Sequence, residues 1–170
     1  MKMKSLVKAV AFVVGISGLV GCNDYTDVSD GVIKKWGNAE LTKVSDPMKG
    51  EQWLVAAICE NTGGRVNDCL GVTTGGARFH VSKEINTHVY VRAKFDDAKP
   101  ELVVPDNVYE SDKVGNSFID MPKSFLDKAR AAKKRIVIEY NHAGGETETV
   151  VSYNAADFNK AVDMFYASKV

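Results

Sequence analysis

Alternation of apolar and polar residues with a period of two is the feature that most restricts what this chain can fold into. Every second residue is apolar from Ala77 to Val81 and again from Thr87 to Phe95. Such alternation is typical of strands that bury one face and leave the other in solvent. Because only a turn around Asn86 separates the two runs, they predict an antiparallel hairpin.

Other strands are indicated by β-rich runs and by the turn residues between them. Gly144-Gly145 separates the run Arg135–Asn141 from the run 147–153, and glycine tolerates the positive φ of tight hairpin turns. This pattern predicts a second hairpin. Further strands are predicted over Gln52–Cys59, 102–104 and 117–119.

Two segments have helical spacing of their apolar residues. One follows Pro122, which suits the first position of a helix, and carries Phe125 and Ala129 on one face. The other follows Asn154, a good helix cap, and places Phe158, Ala161, Val162 and Phe165 on one face. The sequence therefore predicts a mostly β or α+β fold, an antiparallel β-sandwich-like domain with two short helices packed on it.

The first 21 residues have the layout of a secretory signal peptide. A start with three lysines precedes an apolar run from Ala9 to Val20. This run is shorter than the roughly 20 residues that cross a bilayer as a permanent helix. We therefore divide the chain into a signal peptide (1–21), Cys22 with a polar, flexible spacer (22–30) and a single β-rich domain (31–170).

The segment Leu19-Val20-Gly21-Cys22 resembles the lipobox of bacterial lipoproteins. The resemblance implies that Cys22 is acylated, as by palmitate, and becomes the first residue after cleavage. Because Asn23 follows it in place of Asp, the resemblance further implies anchoring in the outer membrane, with the domain facing the periplasm or the exterior. The alternative is an ordinary secreted protein in which Cys22 is a free thiol.

Charge gives no support to a nucleic-acid partner. Removal of the leader lysines leaves 19 basic against 22 acidic residues. A nucleic-acid-binding domain needs a basic patch on one face. The dense basic segment between Lys128 and Arg135 is interpreted as the solvated end of a helix.

Cys59 and Cys69 are the cysteines that remain besides Cys22. Two thiols in an oxidising compartment are expected to pair. The segment between them is rich in turn-forming residues, so a disulfide would staple a hairpin there. Spacing of this kind does not suit a redox pair, which normally has the form Cys-X-X-Cys.

The chain has no catalytic or phosphate-binding motif, so we predict no catalytic residue, no metal and no cofactor. His80 and His88 lie on polar faces and are interpreted as surface histidines. The alternative is that they share a metal ion with Asp96 or Glu84. Calcium binding by the acidic stretch 96–112 is a further alternative to a solvated loop.

Exposed aromatic residues often anchor a protein partner. Tyr90 stands on the polar face of its predicted strand, and Trp36 and Tyr109 lie in polar surroundings. These three residues are our candidates for a partner surface.

The order of several features resembles the invasion-associated locus B proteins and a type VI secretion-associated periplasmic family. A Trp-containing strand at 52–55 precedes Cys59, and the chain ends in a strand, a glycine pair, a strand and a short helix at 136–140, 144–145, 150–153 and 157–161. The resemblance implies a periplasmic β-sandwich with an envelope accessory or host-interaction role and no enzymatic activity. The chain lacks the further cysteine pairs of the first family, so no functional residue is carried over.

Two functions remain open from the sequence. The first is a non-catalytic envelope lipoprotein that binds another envelope protein as an accessory module in secretion, conjugation, exclusion or host interaction. The alternative is a cell-wall or glycan hydrolase, or an inhibitor of one, in which Glu139, Glu146 and Glu148 supply paired carboxylates.

Overall fold

The computed structural model describes residues 28–45, 52–60, 68–81, 90–111, 116–141 and 148–168. The predicted signal peptide, Cys22 and most of the predicted spacer lie outside these ranges. In chain order the elements are β1 (Val28–Trp36), β2 (Ala39–Ser45), β3 (Gln52–Glu60), β4 (Asp68–Thr73), β5 (Gly76–Val81), β6 (Val91–Phe95), β7 (Glu101–Val103), β8 (Asn107–Ser111), β9 (Asn116–Asp120), α1 (Lys123–Ala131), β10 (Arg135–Asn141), β11 (Glu148–Asn154) and α2 (Ala155–Ala167).

The strands form two antiparallel sheets. The larger sheet has seven strands in the order β1-β2-β3-β4-β5-β9-β8, and the smaller has four in the order β11-β10-β6-β7. Residues of both sheets and both helices contribute to one hydrophobic core. The predicted mostly β, sandwich-like fold with two helices is confirmed.

The core follows from the period-two pattern of the strands. In β10, Ile136, Ile138 and Tyr140 are buried, whereas the residues between them are only partly covered. Phe79 of the larger sheet meets Tyr140 edge-on, with ring centroids 5.4 Å apart. Contacts of this kind join the inner faces of the two sheets.

The helices form where their apolar spacing predicts them. The Asn154 side chain accepts hydrogen bonds from the backbone N–H groups of Ala156 and Asp157 and so caps α2. The predicted apolar face of α2 is buried, as are Phe125 and Ala129 of α1. Pro122 differs by one position from the prediction, because it occupies the N-cap of α1 and not its first turn.

The predicted disulfide between Cys59 and Cys69 is confirmed. The two residues lie directly opposite each other on β3 and β4, which pair as antiparallel neighbours. The predicted hairpin of β10 and β11 is likewise confirmed, with Ile138 opposite Val151. Gly144 and Gly145 lie outside the described residues.

The predicted hairpin between residues 77–81 and 87–95 is wrong. β5 pairs with β4 and β9 in the larger sheet, whereas β6 pairs with β10 and β7 in the smaller one. Alternation identifies the buried face of a strand but not its hydrogen-bonding neighbour. The tight turn before Gly76, whose φ is 119°, joins β5 to β4 instead.

Two further differences concern segments without clear alternation. β1 begins at Val28, ahead of the predicted start of the domain at residue 31. β1, β2, β4 and β8 were not predicted as strands, because their apolar residues are interrupted by glycine or charged residues.

Candidate partner-binding surface

The outward face of the smaller sheet carries a row of four side chains, one from each strand. Val150 lies opposite Glu139, Glu139 lies opposite Arg92, and Arg92 lies opposite Leu102. The inward neighbours Val151 and Val103 are buried in the core, so this face points away from it. We call the set Val150, Glu139, Arg92 and Leu102 the central row.

The two ends of the central row are unusually exposed apolar side chains. Val150 is 61 % exposed and Leu102 is 62 % exposed. Beside the row on the same face lie Tyr90, at 41 %, and Val104, at 72 %. Single exposed apolar residues are common on proteins, but a group on one face is typical of an interaction site.

Charged groups occupy the middle of the central row. An Arg92 guanidinium nitrogen lies 3.5 Å from a carboxylate oxygen of Glu139. A hydrogen bond with the Glu148 side chain, assisted by partial burial and by the charge of Glu148, raises the pKa of Glu139, and Arg92 opposes this effect. Glu139 thus contacts both a carboxylate and a cation, and the carboxylate oxygens of the pair have acceptor capacity for a further donor.

A shallow groove of about 290 Å³ adjoins this face where β7 meets α1. Val103, Pro122 and Phe125 contribute apolar atoms to it, and Lys128 contributes a charged rim. Lys128 Nζ is 2.6 Å from a carboxylate oxygen of Glu101, so that rim is already neutralised. The groove borders Leu102 at the edge of the sheet, and its exposed lining is more polar than apolar.

The three aromatic residues predicted as a partner surface do not come together. Tyr90 lies on the face just described, and its backbone N–H donates to the Asn141 side chain at 2.8 Å. Trp36 ends β1 at one edge of the larger sheet, with Lys160 Nζ 5.3 Å from its ring centroid. Tyr109 lies on β8 at the opposite edge, below the guanidinium of Arg78.

Sequence reasoning missed Leu102, Val104 and Val150 as exposed apolar residues. A signal was present, because apolar residues are consecutive in the segments 102–104 and 150–151, and a strand must point them to both faces. Pro100 and Pro105 flank the first segment, as is typical of an edge strand.

The interpretation of His80 as a surface histidine is wrong. The residue is 4 % exposed and its ring stacks on Phe118 with centroids 4.8 Å apart. Burial lowers the pKa of His80 to about 4, against the opposing influence of Asp68. Neither ring nitrogen has a hydrogen-bond partner among the residues that the structure describes. Within the described ranges no group of three or more candidate ligands is placed to hold a metal ion, and His88 and Glu84 lie outside them.

A second set of buried polar side chains lies between the two sheets. The Tyr140 hydroxyl donates a hydrogen bond to a carboxylate oxygen of Asp68 at 2.6 Å. Each of the two residues is only 1 % exposed. Tyr153 lies nearby with its hydroxyl buried and without a partner in the described part of the chain. The enclosed position of these groups gives them a structural role.

The basic segment around the end of α1 is matched by acidic side chains. Lys128 pairs with Glu101, Arg130 with Asp163 and Lys134 with Asp97. The carboxylate of Asp96 accepts hydrogen bonds from the backbone N–H groups of residues 133, 134 and 135, which lowers the pKa of Asp96. This arrangement agrees with a solvated helix end.

Neither helix of the described chain is long and apolar enough to span a bilayer. Comparison of the chain with protein-family models, with curated proteins and with solved structures gives no match.

Proposed function

We propose that this protein is a non-catalytic lipoprotein of the bacterial envelope that acts as a binding or accessory module. Lipid on Cys22 would hold it at the outer membrane, and the outward face of the smaller sheet would receive its protein partner. The observation that carries the proposal is the group of exposed apolar side chains around the charged pair Arg92–Glu139.

The chemistry of this face suits protein recognition. Burying an apolar side chain contributes about 25 cal/mol per Å² of apolar surface. Val150 and Leu102 would supply such surface at the two ends of the central row. The charges between them would give specificity and orientation, because a partner must offer matching charges to cover them. Aromatic residues and arginine, such as Tyr90 and Arg92 on this face, are enriched in protein interfaces.

The proposed tether supports a partner close to the membrane. Six residue steps separate Cys22 from Val28, where β1 begins. An extended chain spans at most about 3.6 Å per residue, so the domain would remain within roughly 20 Å of the lipid attachment point. The partner would therefore belong to the same layer of the envelope.

The geometry of the carboxylates favours binding over hydrolysis. Glycoside hydrolases hold their two carboxyl groups about 5 to 10 Å apart on either side of a cleft. Glu139 and Glu148 are instead in hydrogen-bonding contact on an open sheet face. Glu146 lies outside the described residues. Such a pair supports the recognition of a cationic group more readily than the attack of water on a sugar.

Co-purification from envelope extracts tests the binding role. The full chain, extracted in mild detergent, is compared with the double variant Leu102→Ser/Val150→Ser and with the matched control Val32→Ser/Ile33→Ser on β1. Both pairs of residues are exposed, so neither substitution disturbs the core. We expect a stoichiometric partner, another protein or a second copy, that the first variant loses and the control retains. Equal recovery with all three chains, or no partner at all, would contradict the proposal.

Metabolic labelling tests the tether separately. Labelled palmitate should enter the parent protein and be absent from a Cys22→Ser variant, which should also leave the membrane fraction. A parent protein without label would overturn the lipid anchor but not the binding face.

A further inference from the structure

We infer that the outward face of the smaller sheet binds a second copy of this chain in a two-fold symmetric dimer. This inference names the partner of the surface proposed above and so rests on the proposed function. It is carried by the order of side chains in the central row, which reads apolar, acidic, basic, apolar from β11 to β7.

The order of side chains in the central row is complementary to the same order in a second copy. A two-fold axis parallel to the strands, between β10 and β6, reverses the row in the second copy. Val150 then meets Leu102 of the second copy, and Glu139 meets Arg92 of the second copy. Each pair occurs twice, as an isologous interface requires.

The two apolar ends are matched in exposure as well as in position. Val150 and Leu102 are 61 % and 62 % exposed. Each would cover the other across the interface, and together they would flank the charged centre on both sides. A rim of apolar contact around a polar centre excludes water and strengthens the ion pairs inside it.

The charged centre gains from a second copy. In one chain, Glu139 lies 3.5 Å from the Arg92 guanidinium and hydrogen bonds with the neighbouring carboxyl group of Glu148. The dimer would place a second guanidinium against Glu139, so that acidic and basic groups alternate around the axis. A guanidinium offers several donors in one plane, and the carboxylate pair has the capacity to accept them.

The neighbouring residues fit the same axis. Tyr90, which directly precedes β6, lies beside Asn141 of β10, as their hydrogen bond indicates. The rotation that reverses the central row also exchanges these two positions. A Tyr90 side chain would thus lie over Asn141 of the second copy, where a hydroxyl can hydrogen bond with an amide.

The small size of the face sets the strength of the dimer. Four strands about 4.8 Å apart and three to seven residues long give a flat area of roughly 350 Å². Standard interfaces bury about 800 Å² on each partner. The association is therefore weak and concentration dependent, and confinement of the chains to a membrane would raise their effective concentration.

A charge exchange between two differently tagged full chains tests the inference. Copies carrying Glu139→Arg present two cations at the centre, and copies carrying Arg92→Glu present two anions. Each variant should co-purify with itself at least tenfold less than the parent does. Mixed expression of the two variants should restore association, because unlike centres then face each other.

Controls separate folding from recognition. Circular dichroism should show the parent fold for both charge variants. If either fails to fold, the double variant Leu102→Ser/Val150→Ser replaces it and should lose self-association. The matched control Val32→Ser/Ile33→Ser should retain self-association. Association of each charge variant with itself at the parent level, or no restoration in the mixture, would overturn the inference. A parent that captures a different protein through Leu102 and Val150 but no second copy would also overturn it, while leaving the proposed binding role intact. If the parent protein captures neither a second copy nor a different protein, both the dimer and the proposed binding role would be overturned.

Discussion

Replacement of Tyr140 by Phe should destabilise the protein mainly through the loss of its hydrogen bond to Asp68. The Tyr140 hydroxyl on β10 donates to Asp68 on β4 at 2.6 Å, so this contact joins the two sheets. Burial and the neighbouring carboxylate raise the pKa of Tyr140, which keeps the hydroxyl protonated as a donor. Phenylalanine preserves the ring and its edge-on contact with Phe79 but removes the donor.

The size of the effect follows from the partner and its burial. A hydrogen bond to a charged group contributes about 1.5 to 3 kcal/mol. Asp68 is 1 % exposed, so water cannot replace the lost donor. For a domain of this length, each kcal/mol shifts the melting temperature by about 2 to 4 °C, so a loss of about 1.5 to 3 kcal/mol gives a decrease of roughly 3 to 12 °C.

Tyr153→Phe is the matched control. Tyr153 also lies edge-on to Phe79, with ring centroids 6.4 Å apart, but its buried hydroxyl has no hydrogen-bond partner within the described chain. Removing an unsatisfied buried hydroxyl should leave stability unchanged or raise it slightly.

Urea unfolding at pH 7 with the disulfide intact measures both variants. The slope of the free energy against urea should stay constant while the midpoint of Tyr140→Phe falls. Equal losses in the two variants, or an unchanged midpoint for Tyr140→Phe, would refute the assignment of stability to the Asp68–Tyr140 contact.

Three further predictions concern pH, helix capping and the disulfide. The folded-state pKa of His80, about 4, lies below the ordinary histidine pKa of 6.5, so its contribution to stability is complete above pH 6.5 and is lost as the pH falls toward 4. The free energy of unfolding falls by about 3 kcal/mol across this pH range. In the variant His80→Phe, the urea midpoint should decline less steeply as the pH falls. A decline equal to that of the parent would contradict the assignment of this pH dependence to His80. Asn154→Ala should lower the free energy of unfolding by about 0.5 to 2 kcal/mol through loss of the α2 cap, whereas Asn154→Asp should retain stability in the same titration. Replacing Cys59 and Cys69 by Ala should cost on the order of 2 to 3 kcal/mol, measured against the parent protein under oxidising conditions.

Period-two and helical patterns predicted the parts of the fold that bury one face. The alternation at Ile136, Ile138 and Tyr140 identified β10 and its inward side chains, and Asn154 identified the start of α2. The cysteine pair predicted a stapled hairpin, because a disulfide needs two residues that are close in space, although β4 itself was not predicted as a strand. These features depend on local sequence, and local reasoning found them.

Sheet membership depended on contacts between distant residues and was not predicted. Alternation around Phe79 and around Ala93 is equally clear, yet β5 and β6 belong to different sheets. His80 illustrates the same limit, because a polar position in an alternating strand can still be covered by neighbours such as Phe118. Of the candidate surface, only Tyr90 was predicted, since the exposure of Leu102 and Val150 depends on which sheet their strands join.

Site-specific cross-linking in the envelope tests the central claim that the outward face of the smaller sheet is the binding surface. A photoreactive residue is placed at Leu102 or, for comparison, at Ile33 on β1, both of which are exposed. We predict a discrete cross-linked product from position 102 and none from position 33. A product from position 33 alone, or no product from either position, would contradict the account.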